Sequence, residues 1–277
     1  MPKILTRERL VPNVHLIEVH APEVARKCRP GQFVIIMPDE RGERIPLSIA
    51  DWDAERGSVT AVFLVVGTST RKLAVLKAGD EVPVFVGPLG RPSEIDRFGT
   101  VVLAAGCFGI GALWPSARAL KAAGNRVVAL IDAKAEDLVY WKDRYSSVCD
   151  KVRFSSRDFA LASGDFVPHP LGELLAAEAP VARVIAVGCT YLMYACAQVT
   201  KPLGIKTVVS LNPIMVDGTG MCGACRCTAA GKTKFACVDG PDFDAHQVDW
   251  EELFMRRRSY FDDEIRSLCH YEETELP

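Results

Sequence analysis

Three cysteines and an aspartate near the C-terminus have the types and spacing to do chemistry. In the stretch DGTGMCGACRC, Asp217, Cys222 and Cys225 are separated by four and then two residues, and Cys237 follows after eleven more. Four-then-two is the spacing of the plant-type [2Fe–2S] loop, here with an aspartate in the first position and a shorter gap to the last donor. A carboxylate oxygen can ligate iron, so Asp217 is a chemically sensible donor; the plain alternative is an Asp-Gly turn. Gly218, Gly220 and Gly223 let the backbone wrap tightly, so that amide N–H groups can face inorganic sulfur. Structural zinc is the competing reading, but it usually brings a second paired knuckle, and Cys237 stands alone. Cys227 lies too close to Cys225 to join it easily on one iron, and reads as a small buried residue.

Other stretches suit anions. GCFGIG (106–111) follows a strand-like run and opens a helical one, the setting in which a backbone can approach a dinucleotide pyrophosphate. It lacks the full G-x-G-x-x-G pattern. ERIPLSIAD (43–51) places an arginine before a hydroxyl on a strand, and VVGTSTRKL (65–73) places a Gly-Thr-Ser-Thr turn before a helix; both can hold phosphate. The five histidines are scattered, PHP around His169 reads as a loop, and no nucleophile–base pair is evident.

The elements that must position these groups fall into three blocks. VHLIEVHA, GQFVIIMP, GSVTAVFLVV and DEVPVFVGPLG are β-branched runs punctuated by Gly, Pro and Asp, which predicts a small antiparallel barrel interrupted by one short helix at TRKLAVLKAGD. From TVVLAAG to KTVVSL, strand and helix patterns alternate, which predicts a parallel sheet with helices on both faces. AEDLVYWKDRYSSV and PLGELLAAEAP are among its expected helices. After Asn212 the periodicity fades, so a metal centre is the expected staple, followed by one charged helix in DWEELFMRRRSYFDDEIRSL. The expected architecture is therefore α/β plus β: a barrel over residues 1–97, a nucleotide-binding unit over 98–211 and a small iron–sulfur unit with a C-terminal helix over 212–277.

Thirty-three basic against 35 acidic side chains leave a net charge of −2, with no basic stripe for nucleic acid. The uncharged run 98–117 holds four glycines and a proline, and reads as strand, turn and helix rather than a membrane span. Charges in MPKILTRERL argue against a signal peptide, and ten cysteines, four of them between 222 and 237, suit an intracellular redox or metal site. A cytoplasmic location is expected.

Barrel, nucleotide unit and cysteine loop in this order resemble the ferredoxin–NADP reductase superfamily. More narrowly, the chain resembles the electron-transfer subunits of dihydroorotate dehydrogenase and the related small subunit of NADH-dependent reduced ferredoxin:NADP oxidoreductase. The likeness covers nearly the whole length and is closest through KPLGIKTVVSLNPIMVDGTGMCGACRCTAAGKTKFACVDGPDFDAH. It implies a [2Fe–2S] cluster on Asp217, Cys222, Cys225 and Cys237, the aspartate marking the second branch, where dihydroorotate enzymes carry cysteine. It also implies FAD on Arg44, Pro46, Leu47 and Ser48 and on the turn of Gly67, Thr68 and Thr70, with GPLG (87–90) closing the barrel. NAD(P)H is implied at Gly106 and Gly109, where Cys107, Gly111 and Ala112 replace the usual Gly, Ala and Pro; Cys189 stands where proline is frequent. In SSRDFALASGDFV the usual Asp-Gly-Ser-rich loop is missing. Asp132, after the second strand of this unit, is expected near the adenosine ribose and leans towards NAD, while Lys134 would tolerate NADP. The implied activity is an NAD(P)H-dependent flavin and iron–sulfur oxidoreductase working as a heterodimer with a larger flavoprotein subunit, or with ferredoxin. The alternatives are a stand-alone ferredoxin reductase, the dihydroorotate dehydrogenase subunit and a zinc-stapled binding module.

Overall fold

In the computed structural model, residues 1–156 and 168–274 are described. Strands β1 (Lys3–Val11), β2 (Val14–His20), β3 (Phe33–Met37), β4 (Ile45–Asp53), β5 (Ser58–Leu64) and β6 (Val84–Leu89) pair antiparallel in the order β1-β2-β5-β4-β3-β6. Lys3 bridges Glu81, and the Val82 amide donates to the Pro2 carbonyl at 3.1 Å, so the segment before β6 returns to β1 and the sheet curls shut. Alternation drives inward-facing Ile17, Ile36, Ile49, Val59 and Phe63 into one core. Two short helices, α1 (Pro22–Ala25) and α2 (Thr68–Val75), complete this part.

The second sheet carries β7 (Thr100–Gly106), β8 (Arg126–Ala133), β9 (Lys151–Ser156), β10 (Arg183–Val187) and β11 (Lys206–Ser210), all parallel, in the order β11-β10-β7-β8-β9. Its inner strands β7, β8 and β10 are apolar on both faces, as a covered parallel sheet requires, while the edge strand β9 is polar. Val101, Leu103 and Ala105 face α3 (Gly109–Ala122) and α4 (Lys142–Val148). Val102 and Ala104 face α5 (Pro168–Ala177) and α6 (Thr190–Thr200).

The last segment is less separate than its composition suggests. It forms a hairpin of β12 (Arg226–Ala229) and β13 (Lys232–Phe235), a short α7 (Ala236–Asp239), and β14 (Asp242–Asp244), which pairs antiparallel with β11. Cys225, Cys227, Cys237 and Leu253 share one buried cluster with Val102 and Val184 of the parallel sheet and with Phe33 and Ile35 of the barrel. Apolar packing, not a metal alone, holds this segment.

Three local expectations change. The helix expected over AEDLVYWKDRYSSV is a 3-10 turn at Glu136–Leu138 followed by α4, because Trp141 adopts the left-handed conformation at φ 57°. The charged tail divides into α8 (Trp250–Arg257), capped by the Asp249 carboxylate accepting from the Glu252 amide at 2.9 Å, and α9 (Phe261–Thr274). His169, expected in a loop, lies in the first turn of α5, where Pro168 costs no helical hydrogen bond. The expectation that rests on SSRDFALASGDFV falls largely outside the described residues.

Candidate functional site

The donor loop departs from β11 through residues 211–216 and returns into α7. Asp217 accepts at Oδ1 from the Thr219 amide at 2.8 Å and at Oδ2 from the Cys222 amide at 2.7 Å. These amides, Thr219 foremost, hold its carboxyl below the usual carboxylate range, and a hydrogen bond from the Cys222 side chain adds to the effect. The Cys225 and Cys237 sulfurs lie 3.1 Å apart, both buried. Burial, together with the neighbouring Cys225, raises the Cys237 thiol, so metal binding there must expel protons.

Among the described residues, no three or more His, Cys, Asp or Glu side chains gather as one ion's ligand set. The four donors instead form two pairs, Asp217 with Cys222 and Cys225 with Cys237. A two-iron centre needs two such pairs, whereas zinc needs four donors around one point. Gly218 (φ 73°), Gly220 (φ 86°) and Gly223 (φ 69°) are left-handed, which explains the glycines of the loop. Cys227 belongs to neither pair and is fully buried in the core.

A cavity of about 560 Å³ lies where barrel, parallel sheet and donor loop meet. Pro46, Leu47 and Ser48 on β4 line it, with Phe33, Phe63, Val187 and Phe108, and the run Ser210, Leu211, Asn212, Pro213 and Met215 forms another wall. Met215 stands two residues before Asp217, so one short segment borders both the cavity and the first donor pair. A Cβ on Gly218 would sit 2.6 Å from Leu89 and 3.0 Å from Ile35, which shows how closely this loop is laid on the barrel. A mostly apolar cavity with a few polar groups is the form of a small-molecule or cofactor site, and it fits a flat aromatic ring.

Thr70 also lines the cavity, but its hydroxyl oxygen serves the backbone. It accepts from the Val66 and Gly67 amides at 3.0 Å each and donates to the Gly67 carbonyl at 2.9 Å. Thr68, at the start of α2, meets Ser267 of α9 at 2.9 Å, and Arg71 pairs with Glu272 at 2.8 Å, so the C-terminal helix lies against this turn. Arg44 is exposed just before β4, outside the cavity lining.

Gly106 ends β7 and Gly109 opens α3. An added Cβ on Gly109 would lie 2.0 Å from the Val187 carbonyl oxygen, so packing requires that glycine whatever it binds, whereas one on Gly106 would meet the end of the Leu192 side chain at 2.7 Å. Between them Cys107 is left-handed at φ 53°, a conformation that costs a non-glycine residue about 1–2 kcal/mol. The turn needs glycine geometry where the chain supplies cysteine. Two tyrosines, which the sequence patterns did not single out, clamp it. Tyr140 donates to the Cys107 carbonyl and accepts from the Gly111 amide, both at 2.9 Å, and Tyr145 donates to the Ile110 carbonyl at 2.6 Å. Asp132, the penultimate residue of β8, is buried, only 3% exposed, beside Gly106.

A closed antiparallel barrel, a parallel sheet with a glycine turn and a paired-donor loop around one apolar cavity define a flavin and iron–sulfur oxidoreductase of the ferredoxin–NADP reductase architecture. Residues 212–249 match the iron-sulfur cluster binding domain of dihydroorotate dehydrogenase B. The chain is 42% identical over 262 residues to the dihydroorotate dehydrogenase B (NAD(+)) electron transfer subunit homolog of Thermotoga maritima, covering 95% of this chain and 92% of that one. It is 26% identical to the electron transfer subunit of Enterococcus faecalis over 90% and 97% of the two chains. Among solved structures, a chain of NADH-dependent reduced ferredoxin-NADP oxidoreductase superposes with a TM-score of 0.90 at 39% identity over 98% of each chain. Ferredoxin-NADP+ reductase from Plasmodium falciparum shares the fold, with a TM-score of 0.57 at 15% identity over 72% and 88%. The chain belongs to the family of dihydroorotate dehydrogenase B electron transfer subunits and their homologues.

Proposed function

We propose that this chain is the NAD(P)H-facing electron-transfer subunit of a two-part flavoprotein of the ferredoxin:NADP oxidoreductase type, with a larger flavoprotein as its partner. The observation that carries this reading is the short segment 210–217, which borders the apolar cavity at one end and begins the paired donors at the other. Bound FAD and a [2Fe–2S] cluster would supply the exchange between hydride chemistry and single-electron transfer.

The residues divide this work along the chain. In the barrel, residues 1–97, Pro46, Leu47 and Ser48 give the flavin ring a wall and one hydroxyl. Arg44 and the Thr68 amide offer positive charge to its pyrophosphate, while Thr70 takes up the Gly67 amide and holds that turn in shape. In residues 98–211, Gly106 and Gly109 allow the close backbone approach a nicotinamide nucleotide needs. Asp132, paired beside Gly106, is the residue of this unit assigned to the ribose side of the nucleotide. In residues 212–277, Asp217, Cys222, Cys225 and Cys237 would hold the cluster, which would supply single-electron transfer there. The work of the chain is orientation, exclusion of water and control of charge, with no acid–base pair required.

Identity alone does not separate the branches, at 42% to the Thermotoga maritima homolog and 39% to the ferredoxin-NADP oxidoreductase chain; the aspartate at 217 and the superposition over 98% of both chains support the latter. A cytoplasmic location goes with the reading; among the described residues no helix is long and apolar enough to cross a membrane. The absorption spectrum of anaerobically purified protein tests it. Flavin bands over a broad iron–sulfur envelope, bleached by NADH or NADPH, are expected; a colourless protein holding one zinc per chain would overturn it.

A further inference from the structure

The cavity is almost without charge. Among the described residues lining it, Arg257 alone is ionised, and it arrives from the last turn of α8, far along the chain from the flavin and nucleotide motifs. Its guanidinium donates to the Thr190 hydroxyl and to Asn212 Oδ1, the latter at 3.2 Å. Both partners are neutral, and among the described residues no carboxylate forms an ion pair with it. Arg257 is exposed overall, though the packing of its guanidinium against the cavity works against its charge more than Cys189 and Glu264 favour it. Fastening α8 to Thr190 and Asn212 would need only a neutral donor. An exposed cation at the edge of an otherwise uncharged cavity, held by neutral partners, is placed to meet an anion that forms there.

We propose that Arg257 is the counter-charge for the negative charge that the flavin ring takes on when it is reduced. This rests on the flavin reading above. Hydride transfer breaks a C–H bond of the nicotinamide and forms an N–H bond at flavin N5; two electrons and one proton arrive, and the ring gains one negative charge. A preset cation at the cavity stabilises that product more than the neutral oxidised ring, which is how fixed charge favours one redox state. Arg257 thereby favours uptake of the electron pair and sets how readily single electrons leave towards the Asp217–Cys237 centre.

Sulfite reads the same charge without turnover. Its sulfur lone pair forms an N–S bond at N5 of oxidised flavin, leaving a negative ring and bleaching the oxidised band. The FAD-loaded chain is titrated with sulfite as wild type, Arg257→Gln and Arg257→Lys. Loss of charge in Arg257→Gln should weaken sulfite binding about 10–100-fold, the size of one hydrogen bond to a charged group. Arg257→Lys should stay within about threefold of wild type, since it keeps the charge at altered geometry. Arg257→His supplies a second reading: its sulfite affinity relative to wild type should fall as pH rises through the imidazole range near ~6.5. Unchanged affinity in Arg257→Gln, equal losses in the Gln and Lys variants, or a flat ratio in Arg257→His would each overturn the proposal. Wild type that takes up no flavin would instead overturn the flavin reading beneath it.

Discussion

Replacing Gly109 by alanine tests the packing that seats the nucleotide turn. An ideal Cβ there would lie 2.0 Å from the Val187 carbonyl oxygen, 2.5 Å from its carbon and 2.8 Å from the Gly188 nitrogen. Ordinary carbon–oxygen contacts begin near ~3.3 Å, so α3 and the end of β10 must separate by roughly 1.3 Å. All three obstacles are backbone, so no side chain can swing aside to absorb the strain. Overpacking of this kind costs about 1–3 kcal/mol, and alanine recovers at most about 1 kcal/mol through helix propensity. Rigid backbone obstacles put the clash in the upper part of that range, about 2–3 kcal/mol, so the net loss is roughly 1–3 kcal/mol, or several degrees in Tm at ~2–4 °C per kcal/mol. Gly172→Ala in α5 is the matched control, because nothing lies within 4 Å of its added Cβ. That variant should gain about 0.5–1 kcal/mol. Urea unfolding followed by tryptophan fluorescence, compared at equal m-value, reads both. A Gly109→Ala protein as stable as wild type, or a shift equal to that of Gly172→Ala, would refute the close-packing account of this turn.

Three further outcomes are expected. Asp217→Ala should weaken or empty the iron–sulfur centre and leave flavin in place; an unchanged cluster EPR signal would transfer the donor role elsewhere. Arg44→Ala should lower FAD retention, measured as flavin lost on gel filtration, and full occupancy would move the pyrophosphate contact to another residue. Asp242 has its carboxyl raised above the ordinary range, first by burial, although it accepts from Ser93 at 2.6 Å. A raised carboxyl favours the fold while protonated, and that benefit is lost as pH climbs from the ordinary value near ~3.9 through the folded one. Asp242→Asn keeps an acceptor for Ser93 and removes the ionisation, so it should gain stability on wild type at neutral pH and lose that gain in acid. Urea midpoints across pH check this, and a constant difference would contradict it.

Much was legible before any fold was known. The β-branched runs of the first hundred residues carry their period in adjacent residues, and five strands of the parallel sheet did the same. The donor spacing could be read because the plant-type loop is local in sequence. What escaped was set by distant partners. Strand β1 is mostly polar and exposed outside Ile4, so alternation was weak, and it is held by pairing to β2. Trp141 breaks an apparently continuous helix where Tyr140 is drawn under the glycine turn. Tyr140 and Tyr145 bore no motif and became visible as clamps only through contacts 33 and 35 residues back. Arg257 looked like one charge among three consecutive arginines, and only the packing of α8 brings it to the cavity.

By itself, then, the sequence determined the barrel and α/β character and the likeness to a redox family, and it suggested three blocks and four candidate donors, since each depends on residue type and on spacing along a short stretch. Tertiary structure decided that the donors fall into two pairs, that the C-terminal segment shares its core with both other blocks, and which glycines are needed for packing. It also chose the charge that meets the cavity. Those outcomes depend on distances between residues far apart in the chain, which local periodicity does not encode.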